Sequence, residues 1–284
     1  MSDPTPPPTL APTPPGSDPA EGGPEVIVLG AEGRIGALLM GMTQGPWQPV
    51  AVTRRHDPVG LHAPGPPRPI VVCTRNDDLE AVLDRVHPSR HADLVLVQNG
   101  VVRPWMTAHG VSGATVGVLW VAVAARGDSP IAGGTSAFAG PWAATVAEMM
   151  DAHGVAARAV SEPALHTEVA VKLAWICIFG LLGEALRRPV GEIALDHRDL
   201  VLALAAELTP LLRREPGLDL DTPALVERLL VYSAAIAPWP ARLREWPWRN
   251  GWLFAAAARQ GMELPLHAEW AAKVGFSPAG PLPG

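Results

Sequence analysis

Between residues 25 and 162, short runs of consecutive apolar residues alternate with segments of helical periodicity. The runs 26–29, 50–53, 70–74, 94–98, 115–124 and 157–160 predict strands, and 34–42 and 78–86 predict helices between them. Strands apolar on both faces and joined by helices belong to a parallel sheet covered on both sides. Residues 131–138 follow Gly127-Asp128 closely, which predicts a hairpin return. From Pro163 onward the pattern predicts helix almost throughout, over 163–187, 198–214, 222–237, 240–260 and 266–274. The expected fold class is α/β: a doubly wound sheet over 25–162, then an all-α domain over 163–284.

Composition sharpens this picture at its edges. Of the 284 residues, 48% are hydrophobic and 18% charged, enough for a core and incompatible with wholesale disorder. Residues 1–24 carry nine prolines and almost no bulky apolar side chain, so a disordered tail that contributes no core is expected there. The tail does not read as a signal peptide, because no Lys or Arg precedes Arg34 and no apolar stretch precedes the first strand. The longest uncharged apolar stretch, 173–182, is too short to span a bilayer, and a soluble cytoplasmic protein with no membrane partner is the expectation. A net charge of -6 argues against a nucleic-acid partner. Cys73 and Cys177 lie in apolar runs and read as small buried hydrophobes. The nine histidines show no ligand spacing, so no metal is expected, and the ten tryptophans read as core and interface. The basic residues comprise 20 Arg and only Lys172 and Lys273. In such a chain a lysine calls for a reason.

The run Gly30-Ala31-Glu32-Gly33-Arg34-Ile35-Gly36 sits between the first strand and the first helix. Gly30 permits a tight turn, Gly33 lets backbone approach a pyrophosphate, and Gly36 allows close packing of helix on strand. Arg34 and Ile35 open a helix whose N-terminal N–H groups face the anion. A strand–helix turn that binds nothing is the alternative. The second strand ends Thr53-Arg54-Arg55-His56, where a NAD site usually carries an acid for the ribose 2′-hydroxyl. Two guanidiniums there suit a 2′-phosphate, hence NADP (as NADPH).

Four features in order resemble the ketopantoate reductase (2-dehydropantoate 2-reductase) family. They are the glycine loop, Gln98-Asn99-Gly100 after the fourth strand, Lys172 entering a long apolar helix, and Ser233 followed by Glu245, Asn250-Gly251 and Leu264-Pro265. The resemblance spans about residues 25–275 and implies a Rossmann domain, a helical domain of the 6-phosphogluconate dehydrogenase C-terminal type, and an active site between them. It implies NADPH-dependent reduction of a 2-oxo acid, in the family 2-dehydropantoate to pantoate in pantothenate biosynthesis. Lys172, flanked by Val169, Val171, Leu173 and Trp175, is suited to protonate the alkoxide formed by hydride delivery. Glu245 is suited to orient Lys172 or to hold a substrate hydroxyl. Ser233 is suited to donate to the substrate carboxylate, Asn99 to anchor substrate or nicotinamide ribose, and Asn250 to line the substrate site. A lysine snorkelling at a helix end is the alternative for Lys172.

The sequence also departs from the family. Where the family carries Asn four and eight residues after the catalytic lysine, this chain has Ile176 and Gly180. Where the family has a lysine after the third strand, it reads Thr74-Arg75-Asn76. A less polar carbonyl substrate and a non-catalytic NADP-binding protein therefore stand beside the leading reading. The 173–182 helix and the Trp-rich 239–252 segment are candidate surfaces for a homodimer, or else domain core.

Overall fold

The computed structural model describes residues 23–277. Most of the expected disordered tail thus lies outside the described residues. At its end, the Pro24 carbonyl accepts the Gln48 N–H at 3.0 Å.

Strand β1 (Glu25–Leu29) lies between β2 (Gln48–Val52) and β3 (Ile70–Val72), parallel to both, with Leu29 opposite Val52 on one side and Val72 on the other. The sheet continues through β4 (Leu94–Leu96) and β5 (Thr115–Val118). It ends on β8 (Ser136–Ala139), antiparallel to β5, and β9 (Ala157–Ala159). The chain leaves β1 for one side and then crosses to the other, so the carboxyl end of β1 faces a topological switch point, where ligands of such sheets bind.

Alternation along the strands separates two cores. Val26, Val28, Val71 and Val95 face helices α1 (Arg34–Met40) and α4 (Ala143–Ala152). Ile27, Leu29, Ile70, Val72, Leu94 and Leu96 face the other way, over α2 (Leu79–Arg85), α3 (Arg103–Ala108) and the helical region. Burial on both faces is the reason these strands read as unbroken apolar runs.

The helical region is organised around α5 (Glu162–Leu186), which starts where Ser161 accepts the Ala164 N–H. It packs against β5 and β8 and against α6 (Val190–Asp196), α7 (Arg198–Arg214), α8 (Thr222–Ala235) and α10 (Pro265–Lys273). By length and composition α5 is apolar enough to cross a bilayer, longer than the 173–182 stretch suggested, yet 78% of its most apolar part is buried within the fold. That burial also removes 173–182 as a dimer surface.

Two expectations need correction. The strand expected over 115–124 breaks after Val118, where the Trp120 backbone N–H bonds the Ser136 hydroxyl at 3.1 Å instead of a strand carbonyl. The chain then resumes as β6 (Val121–Ala122), paired with β7 (Ile131–Ala132) in a separate ribbon, while β8 returns to β5. The helix expected over 240–260 forms only as α9 (Asn250–Arg259). Pro238, Pro240 and Pro247 break the preceding stretch, which holds one 3₁₀ turn at Trp246–Trp248.

Candidate active site

The glycine loop lies at the carboxyl end of β1. Gly30 has φ +90°, and its N–H bonds the Val52 carbonyl at 2.9 Å. A Cβ at Gly36 would stand 2.2 Å from the Gly30 oxygen, so helix and turn are packed as tightly as the sequence suggested. Gly33 caps α1 without a side chain, and the first turn of the helix carries no acid. Arg34 reaches across from that turn, donating to the Val123 and Ala124 carbonyls at 3.2 and 3.3 Å. Arg54 and Arg55 follow β2 as an exposed pair: the Arg54 side chain is 86% exposed and meets Asp78 at 3.4 Å.

Beside this loop, between the sheet and the helical region, opens a cleft of about 570 Å³. Arg34, Arg242, Arg244, Arg249 and Lys172 all line it, and among the described residues no acidic side chain does. Its field therefore favours an anion. Ile35 and Asn99 line the same cleft, as do Trp175, Ile176 and Gly180 on α5.

Lys172 is 7% exposed and enclosed by rings. Its Nζ donates to the Tyr232 hydroxyl at 3.1 Å and lies 4.6, 5.4 and 4.3 Å from the ring centres of Trp120, Trp175 and Tyr232. The carboxylate of Glu168 on the same helix is engaged by Arg228 and by the Trp120 indole N–H. Burial and the charge of Arg249 lower the Lys172 pKa to about 7. Burial pushes the Tyr232 hydroxyl up, so it stays protonated and does not compensate the ammonium. Lys172 is no snorkelling side chain.

The remaining expected residues divide. Asn99 lines the cleft, and its backbone carbonyl accepts from the Asn76 side chain at 3.1 Å. Ser233 is turned away: fully buried, it donates to the Leu229 carbonyl and accepts the Trp175 indole N–H, both at 2.9 Å. Successive residues on a helix point about 100° apart, and its neighbour Tyr232 takes the cleft position. Asn250 is 1% exposed and donates to the Cys177 carbonyl at 3.1 Å, which ties α9 to α5 instead of lining the cleft. Glu245 accepts the Asn76 backbone N–H at 3.0 Å through Oε1 and binds Arg249 through Oε2. Its oxygens are thus occupied by groups other than Lys172. The tryptophans contribute more than core, since Trp175 and Trp239 form cleft walls and Trp120 lies beside Lys172.

Tyr232 and Arg249, with Arg242 and Arg244, are among the cleft residues that sequence reasoning missed. Tyr232 is the single tyrosine of the chain and adjoins Ser233; Arg249 adjoins Asn250-Gly251. The sequence pattern points to their neighbours, Ser233 and Asn250.

No family model matches the sequence, and no curated protein matches it. Solved structures do match in fold. D-mandelate dehydrogenase in complex with NADH superposes with TM-score 0.65 at 16% identity, over 88% of this chain and 97% of that one. The ketopantoate reductase of Ralstonia eutropha JMP134 gives 0.65 at 15%, over 88% and 97%. The 2-dehydropantoate 2-reductase of Geobacter metallireducens GS-15 gives 0.62 at 16%, over 88% and 98%. The architecture is that of the ketopantoate reductases: an α/β sheet domain followed by helices.

Proposed function

We propose that the protein is an NADPH-dependent reductase that converts a 2-oxo acid to a 2-hydroxy acid in this cleft. The observation that carries the proposal is Lys172, a buried ammonium with its pKa brought to about 7, in a cleft lined by four arginines and, among the described residues, by no acid. The fold shared with ketopantoate reductases and D-mandelate dehydrogenase supports it.

The residues at the β1 end fit a dinucleotide. Gly33 caps α1 with no side chain bonded to the N–H groups of its first turn, and Arg34 stands at the start of α1 facing the cleft. When bound, the dihydronicotinamide supplies the hydride for the ketone carbon. Lys172 holds the proton that the resulting alkoxide requires, and its Nζ–H groups offset the charge developing on that oxygen. Tyr232 fixes the ammonium by accepting one of its hydrogens. Trp120 and Trp175 exclude water around it.

Steady-state NADPH oxidation across a panel of 2-oxo acids tests this reading. Ile176, Trp175 and Trp239 wall the cleft, and Ile176 and Gly180 line it at the positions where the resemblance to ketopantoate reductases implies Asn. Acids with apolar side chains are therefore expected to outperform ketopantoate. An apolar wall gives up the hydrogen-bond discrimination of a polar one. NADPH binding without oxidation by any member of the panel would leave the non-catalytic alternative.

Two further results are expected. The protonated lysine is the active form, so kcat/KM for reduction holds steady below pH 7 and falls as pH rises through about 7. A pH–rate profile measures this, and a profile flat to pH 9 contradicts it. NADPH binds more than about tenfold tighter than NADH, because each charge-assisted bond from Arg54 or Arg55 to a 2′-phosphate contributes about 1.5–3 kcal/mol. Calorimetric titration with both cofactors decides it; equal affinities remove the phosphate-reading role of the pair.

A further inference from the structure

We propose that Arg249 is the residue that receives the substrate carboxylate, with Glu245 as the group that positions it. The proposal rests on the reductase reading for the identity of its ligand. It assigns to a guanidinium the task that Ser233, turned toward Leu229 and Trp175, does not perform.

Arg249 sits immediately before α9 and lines the same cleft as Lys172 and Asn99. It is 9% exposed, so its charge is largely out of water. Among the described residues its hydrogen bonding is incomplete: Nη2 is held by Glu245, while the buried Nε–H has no acceptor. A guanidinium carries five N–H donors in a planar fork. Its surroundings add repulsion, since Arg244 and Arg75 are near enough to disfavour its charge, and Glu245 is the carboxylate that opposes them. A buried cation with one partner is poorly compensated. A second carboxylate, entering from the cleft, supplies the missing counter-charge and matches the fork in geometry.

The positioning is built from both halves of the molecule. The Asn76 N–H, after β3, holds Oε1 of Glu245, and Oε2 of the same carboxylate holds Arg249. Glu245 itself adopts φ +44°, a left-handed conformation uncommon for a non-glycine residue. In a 2-oxo acid the carboxylate adjoins the ketone. Arg249 is near enough to Lys172 for its charge to act on the ammonium, so a carboxylate anchored on Arg249 brings the adjoining ketone toward Lys172.

The test compares phenylglyoxylate with its neutral amide as ligands of the NADP⁺-loaded protein, by calorimetry. The wild type is expected to bind the acid at least about 10²-fold tighter than the amide. Arg249→Met brings the two within about threefold, mainly by weakening the acid. Arg249→Lys keeps an intermediate preference, because it restores the charge but not the fork. Glu245→Gln lowers the preference without abolishing it. A wild type that does not distinguish acid from amide, or an Arg249→Met or Arg249→Lys protein that keeps the full preference, overturns the proposal. Turnover separates it from the reading beneath it. Arg249-dependent acid binding without NADPH oxidation sustains Arg249 and sinks the reductase; oxidation of 2-oxo acids with an unchanged acid preference in Arg249→Met does the reverse.

Discussion

Lys172→Ala is expected to lower kcat by at least about 10²-fold, the usual range for the loss of an acid–base group. Lys172→Arg is expected not to rescue it. A guanidinium remains protonated throughout the accessible pH range and has no proton to give. Its planar head also has to enter a space bounded by Trp120, Trp175 and Tyr232, which enclose the lysine ammonium at 4.3 to 5.4 Å. NADPH affinity changes little in either variant, because the glycine loop and Arg54-Arg55 belong to the sheet domain. Steady-state kinetics with the best acid of the panel, beside a cofactor titration, reads both quantities. Near-normal turnover by Lys172→Arg would remove the general-acid role.

Gly36→Ala is expected to lower NADPH affinity by more than tenfold and the melting temperature by several degrees. The added Cβ would stand 2.2 Å from the Gly30 oxygen and 2.7 Å from the Ala31 Cα, both backbone atoms with no rotamer to change. Forcing α1 away from the turn costs about 1–3 kcal/mol of packing, or roughly 2–12 °C for a chain of this size. The shift also moves the N–H groups that would face a pyrophosphate. Gly113→Ala serves as the control, since a Cβ there meets nothing within 4 Å. Scanning calorimetry and cofactor titration on both variants check the expectation. Equal behaviour of the two would show that the loop's close packing is unrelated to binding.

The sheet was legible because burial on both faces leaves its mark as unbroken apolar runs, as in Ile70–Val72 and Leu94–Leu96. The glycine loop was legible because each glycine answers a local steric demand. Lys172 stood out in a chain with two lysines, and its enclosure followed from the apolar residues around it. What stayed hidden depended on tertiary direction. Ser233 and Tyr232 are adjacent, and only the packing of α8 on α5 decides which of them meets the cleft. Glu245 carries the expected charge, but its partners come from 169 residues upstream and four residues downstream, at Asn76 and Arg249. The break between β5 and β6 falls where the Trp120 N–H is taken by the hydroxyl of Ser136, 16 residues away. The prolines before α9 were visible, yet the apolar residues around them outweighed their meaning as helix breakers.

The proposed reaction is transfer of hydride to a 2-oxo carbon within this cleft. NADPH dideuterated at C4 of the nicotinamide tests it directly, with the product examined by mass spectrometry and proton NMR. A 2-hydroxy acid carrying one deuterium at C2 is expected, formed by the wild type and lost to the same extent as turnover in Lys172→Ala. A 2-hydroxy acid with no deuterium at C2, or cofactor binding with no such product from any 2-oxo acid, would contradict it.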